Sequence, residues 1–160
     1  MKWLTILLCL IPSATLATAP SSVDTEREKA ELLRIHKADR EAHFRTDVNL
    51  LQERSPAVLI SVRSGRIERT SKADERAHFE EYFRGARYYE WDDLEEPIIS
   101  VSGDGSMAWM ITRIRVRRVQ KDASGGEREQ KFVYAGIMTY EKKDGTWVRV
   151  ANVSTFEPQE

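Results

Sequence analysis

The sequence predicts an α+β fold in which a curved antiparallel sheet wraps around about three N-terminal helices and leaves a pocket between the layers. Three observations predict it. A long amphipathic helical pattern opens the folded part of the chain, and a second strong helical pattern follows a short hairpin. Residues 97–156 then read as long strands joined by polar hairpins.

Ser22 or Asp24 can cap the first helix, which runs to about Arg45, with Glu26 and Glu28 favourable near its positive end. Leu32, Ile35, Ala38 or Asp39, Ala42 and Thr46 follow its inward spacing. Asp47 reads as the N-cap of a second short helix, Val48 to Arg54, stopped by Ser55-Pro56. Residues Ala57 to Val62 form a strand, Ser64-Gly65 a turn, and Arg66 to Thr70 its partner. Ser71 caps a third helix, Lys72 to Arg84, with Ala73, Ala77, Phe79, Tyr82 and Phe83 as its apolar side and Gly85 as its stop.

Tyr88 to Trp91 is a further strand. The chain ends in Ile98 to Ser102 with Met107 to Gln120 (broken by Gly103-Asp104-Gly105), then Glu129 to Glu141, then Thr146 to Phe156. A turn at Asp122 to Gly126 centred on Ser124 sets Thr112 opposite Gly136 and Ile114 opposite Tyr134. A three-residue loop Lys143-Asp144-Gly145 sets Glu141 opposite Trp147 and Gly136 opposite Asn152. One face then gathers Ala108, Met110, Thr112, Ile114, Val116, Tyr134, Met138, Val148, Val150, Asn152 and Ser154, and should pack on the helices. The other gathers Arg113, Arg115, Arg117, Glu129, Lys131, Glu141 and Arg149, charges that can pair across strands.

The 160 residues suit one domain. A net charge of −1 gives no electrostatic footprint for nucleic acid, and the arginines of Arg113 to Arg118 read as a paired outer or dimer face. Residues 1–19 have the layout of an export signal: Lys2, an apolar run from Trp3 to Ile11, the break Pro12-Ser13, and the small-x-small Ala17-Thr18-Ala19. The expectation is an exported protein, periplasmic or secreted, with a leader at 20–23 and one domain at 24–157. The apolar run is too short for a mature spanning helix, so no membrane partner is expected. Cys9 is the sole cysteine, which leaves the mature chain no disulfide and no thiolate.

The order helix, helix, hairpin, helix, long sheet resembles the nuclear transport factor 2-like superfamily, which includes SnoaL-like polyketide cyclases and ketosteroid isomerases. The matching residues are Ala42 with Thr46-Asp47, Ser64-Gly65-Arg66, Phe79 to Phe83, Ser106 to Trp109, and Asp144-Gly145-Thr146-Trp147 to Ser154, over roughly residues 24–156. The resemblance implies a cone-shaped domain with a pocket between helices and concave sheet, and homodimerisation through the convex sheet. It implies no activity, because the fold hosts enzymes and non-enzymes. SnoaL-like endings commonly carry a histidine near the position of Asn152, and this strand has none.

Candidate ligand contacts are Thr112, Tyr134, Asn152 and Ser154 on the inward face, which can direct a few hydrogen bonds in an apolar cavity, and Tyr88 and Trp91 as an aromatic rim. Packing or buried water accounts for the same residues. His36, Asp39, His43 and Asp47 share one side of a helix, as an acid–base pair or metal site would. Local roles also account for them: His36 and Asp39 solvated, His43 an inward polar group, Asp47 a cap. Their spacing matches no strong metal motif, and neither metal nor cofactor is expected. His78, beside Phe79, reads as a surface or core group.

Three functions stay open. One is a binding module for a small apolar or amphipathic molecule. The second is an isomerase, cyclase or hydrolase using His43 or Asp47 as general base, and the third is a homodimeric interaction protein.

Overall fold

The computed structural model describes residues 23–157, so the export segment and most of the leader lie outside the described residues. Helix α1 (Thr25–Arg45) begins on Asp24, whose carboxylate accepts from Arg27 N. It ends at Thr46, in the left-handed region. Helix α2 (Val48–Leu51) is shorter than expected and dissolves into turns through Arg54. Strands β1 (Val58–Arg63) and β2 (Arg66–Ser71) form the hairpin, and helix α3 (Lys72–Phe83) starts on Ser71 as expected. Its buried side differs from the expected one: Ala73 and Ala77 are exposed, and Glu75 is buried with Phe83.

Strands β3 (Ala86–Asp93), β4 (Ile98–Val101), β5 (Met107–Lys121), β6 (Glu127–Lys143) and β7 (Thr146–Phe156) complete a seven-stranded sheet in the order β2-β1-β7-β6-β5-β3. Only β1 with β7 is parallel. Gly103-Asp104-Gly105 does more than interrupt a strand. It folds β4 back as a hairpin on β5, and β3 and β4 share that strand's outer edge.

The β5–β6 register is as the sequence predicts, with Thr112 opposite Gly136 and Ile114 opposite Tyr134. The β6–β7 register is not. Asp144 (φ 49°) and Gly145 (φ 77°) form a two-residue turn closing on Lys143 and Thr146, so Lys142, not Glu141, opposes Trp147. A bulge then shifts the pairing between Thr139 and Tyr140: Tyr140 opposes Arg149, Thr139 opposes Ala151, and Val150 is the extra residue. Trp147 and Arg149 therefore face the helices on the turn side of the bulge, and Asn152 and Ser154 face them beyond it. Arg149 leaves the charged outer face where the sequence reading put it, and Val148 leaves the inner one. Gly136 is needed here, because a Cβ would lie 2.8 Å from the Val153 carbonyl oxygen.

The core has two parts. At one end Leu32 and Ile35 of α1 pack on Ala108, Met110, Tyr140 and Trp147. At the other, Ala42, Leu51 and Phe83 pack on Tyr88, Trp91, Ile114 and Val116. The second part is incomplete, and the gap in it is the candidate site.

Candidate functional site

The gap is a cavity of about 230 Å³. Its apolar wall is Leu51, Phe79, Tyr82, Trp91, Val116, Met138 and Phe156. Its polar wall is Asp39 and His43 from α1, Tyr134 from β6, and Arg149, Asn152 and Ser154 from β7, with His78 also lining it. A second compartment of about 280 Å³ runs between α3 and β1–β2 and shares His78, Phe79, Arg149 and Asn152. The two make one cleft.

Asp39 and His43 are one helical turn apart, so both reach the same space. The Arg149 guanidinium lies between two carboxylates, 3.3 Å from Glu75 and 3.8 Å from Asp39. The side chains of Asp39 and Arg149 are 15% and 14% exposed, and that of Glu75 is 5% exposed. Burial works against the arginine's charge, but the two carboxylates outweigh it and hold its pKa above the ordinary value. Asp39 is the weaker partner. Burial pushes its carboxyl up, against the pull of Arg149 and His36, and it accepts no hydrogen bond from any described residue. Buried polar atoms normally have partners, yet Arg149 Nε, Glu75 Oε2 and Thr112 Oγ1 have none among the described residues.

His43 Nδ1 lies 2.7 Å from the Asp39 carbonyl oxygen. A carbonyl only accepts, so Nδ1 carries the proton and Nε2 the lone pair. Burial drives His43 down to about 4, more than the Asp39 carbonyl can offset, so the ring is neutral at pH 7. The ring stacks on Trp91 at 4.8 Å and meets Tyr88 edge-on at 5.3 Å. Burial also raises the Tyr134 phenol, which stays a donor and makes no hydrogen bond to a described residue. Asn152 accepts from Ser61 Oγ at 2.6 Å, which holds its amide in place across the β1–β7 pair.

The structure thus brings together His43, Tyr134, Asn152, Ser154 and Trp91. It does not bring the others in. Asp47 spends its carboxylate on Asn49 N and Leu50 N as the cap of α2 and is not on the wall, so it has no access to a bound molecule. Tyr88 takes a hydrogen bond from Arg118 inside the core, and Thr112 is 2% exposed and not on the wall. His36 is not solvated, and Asp39 faces the cleft rather than the outer surface. His36 is 3% exposed with Nε2 at 2.9 Å from both Asp93 oxygens, because the helix face they share is the buried one.

Sequence reasoning missed Asp39, Glu75 and Arg149 as a set. The helical spacing of Leu32, Ile35, Asp39 and Ala42 was a signal for the first, and nothing local marks the other two. Among the described residues no three His, Cys, Asp or Glu side chains gather as metal ligands.

No family model and no curated protein matches the chain. Solved structures do. A nuclear transport factor 2-like protein from Cytophaga hutchinsonii superposes with a TM-score of 0.64 at 15% identity, over 81% of this chain and 98% of that one. A Streptomyces avermitilis protein of the same family, described as a proposed dehydratase, gives 0.64 at 10%, over 84% and 99%. The association domain of C. elegans CaMKII gives 0.56 at 14%, over 82% and 97%. These identities speak for the fold alone. With the helix order, the curved sheet and the cleft between them, they identify the domain as having the cone fold of the nuclear transport factor 2-like superfamily.

Proposed function

We propose that this domain binds a small molecule with a largely apolar body in the cone, where Tyr134, Asn152 and Ser154 direct its polar end. The observation that carries this reading is a cavity in which the Asp39 carboxylate and the Tyr134 and Ser154 hydroxyls have no hydrogen-bond partner among the described residues, while the rest of its wall is largely aromatic and aliphatic. A hydroxyl, an imidazole nitrogen and a carboxylate that face a cleft without protein partners are free to hydrogen-bond a guest. Small-molecule sites combine apolar walls with a few directed polar groups in this way. Native mass spectrometry of the mature protein from its exported fraction tests it. A discrete small mass on the native protein, lost in a cavity-filling Met138→Trp variant that stays folded, is the expected result. An apo mass, with no saturable binding in a ligand screen, refutes the reading.

A specific observation also favours a second reading, proton transfer on a bound carbonyl compound. Asp39 and the neutral His43 both stand on the wall as proton acceptors. Under that reading Asp39→Asn or His43→Gln abolishes turnover while the ligand still binds.

Two further expectations belong to the same proposal. The chain is exported by its first 19 residues. It pairs with a second copy through the convex sheet, where Trp109, Ile111 and Val153 stand exposed between the charged ends. Trp109→Glu should halve the solution mass, and Arg149 has no part in that surface.

A further inference from the structure

Resting on the reading of the cone as a small-molecule site, we propose that its ligand is a cation. It is a compact protonated amine whose ammonium is held by Asp39, with its apolar body against the aromatic wall of Tyr82, Trp91 and Tyr134.

The cleft wall holds three carboxylates, Asp39, Glu68 and Glu75, and two guanidiniums, Arg63 and Arg149. Arg63 is taken up by Glu68, to which it donates at 2.8 Å and 3.1 Å. The Arg149 guanidinium hydrogen-bonds only one of the two carboxylates beside it. It donates to Glu75 Oε1 and stands 3.8 Å from Asp39, outside hydrogen-bond range. Asp39 is left with a distant partner and no donor. The other buried cation at this end, Arg118, is not on the wall. It donates to Gln130 and the Tyr88 hydroxyl and lies over the Tyr82 ring. His43 cannot supply the missing charge, because burial keeps it neutral to about pH 4. His36 is held by Asp93.

An ammonium brings three donors and no acceptor. The wall offers it the Asp39 carboxylate, the His43 Nε2 lone pair and the hydroxyl oxygens of Tyr134 and Ser154. An anionic ligand would meet three carboxylates and a neutral imidazole, with both arginines already engaged by carboxylates. Aromatic rings attract a desolvated cation, and carboxylate plus aromatic walls is the pairing that recognises amines.

The test is calorimetric titration of the mature chain at pH 7 with three probes of matched shape: 2-phenylethylamine, 2-phenylethanol and phenylacetate. The amine should bind at least about tenfold tighter than the alcohol, and phenylacetate weakest. Asp39→Asn keeps the shape and should reduce the amine to the level of the alcohol. Glu75→Gln should weaken the amine several-fold, and it carries the test should Asp39→Asn fail to fold. Equal or tighter binding of the alcohol or phenylacetate overturns the charge assignment, as does an amine affinity unchanged in the variants. Either result leaves the small-molecule site standing. No saturable binding of any probe up to millimolar concentration overturns both.

Discussion

Glu28 and Asp39 are acidic residues on the same face of α1, about three turns apart, and both point inward. Their surroundings differ. Glu28 receives Trp147 Nε1 at 2.8 Å, Lys142 Nζ at 2.6 Å and Arg27 at 3.1 Å. Those donors, Lys142 first, hold its carboxyl below the ordinary value. Asp39 receives no hydrogen bond and borders a cavity, and burial holds its carboxyl above the ordinary value. The first carboxylate fastens the helix start to the β6–β7 hairpin and closes that end of the cone. The second is stabilised by nothing of comparable strength in the protein. A buried carboxylate with its donors in place explains itself by stability, and one without them asks for a ligand.

Removing the charge between two of the wall carboxylates should do the most damage. Arg149→Met leaves Asp39 and Glu75 facing each other unpaired, and should cost about 3 to 5 kcal/mol in urea unfolding at pH 7. The loss should shrink as pH falls and the carboxyls take up protons. A uniform loss at all pH would mean that the arginine matters for packing only.

Glu28→Ala should cost about 2 to 3 kcal/mol, because the Trp147 N–H and the Lys142 ammonium lose their acceptor. Ligand binding should be unaffected in the folded fraction.

His43 gives a pH effect of similar size. Its folded pKa of about 4 lies below the ordinary 6.5, so between those values the unfolded chain binds more protons. Stability should therefore fall as pH drops from 6.5 to 4, by roughly 3 kcal/mol at most, and His43→Gln should flatten that slope.

The smallest effect is the most telling. Asp39 has a raised folded pKa, so its ionisation on going above pH 4 costs the folded state stability. Asp39→Asn should be neutral or stabilising by up to about 1 kcal/mol at pH 7, whereas it lowers amine binding to the level of the alcohol. A loss as large as that of Glu28→Ala would erase the contrast between the two residues.

Much of this fold was legible because it rests on local rules. Asp24, Ser71 and Asp47 cap where capping chemistry puts them, and Ser64-Gly65 turns where a hairpin needs positive φ. Alternation along β5 places Ala108 to Val116 inward as expected. The site was legible only in part, and β7 shows why. The tight Asp144-Gly145 turn moves the register by one residue, and the bulge at Val150 moves it by one more. Past the bulge the two shifts leave Asn152 and Ser154 on the expected face. Before it the turn's single shift points Arg149 inward, against the usual rule for a charged residue. Bulges have no reliable local signature, and a buried arginine needs partners from α1 and α3 that are far away in sequence. The convex face was misread in a simpler way. Its charges were counted, and Trp109 and Ile111 between them were not.

The contrast between the two carboxylates is best tested by titrating both in one experiment, following the side-chain carboxyl carbons by NMR in the ligand-free protein. The account predicts that Glu28 titrates below the ordinary carboxylate range and Asp39 above it, with Asp39 moving down when 2-phenylethylamine is added. Asp39 titrating at or below Glu28 would mean that the protein already satisfies it, and would contradict the assignment of the cone as a ligand site built around it.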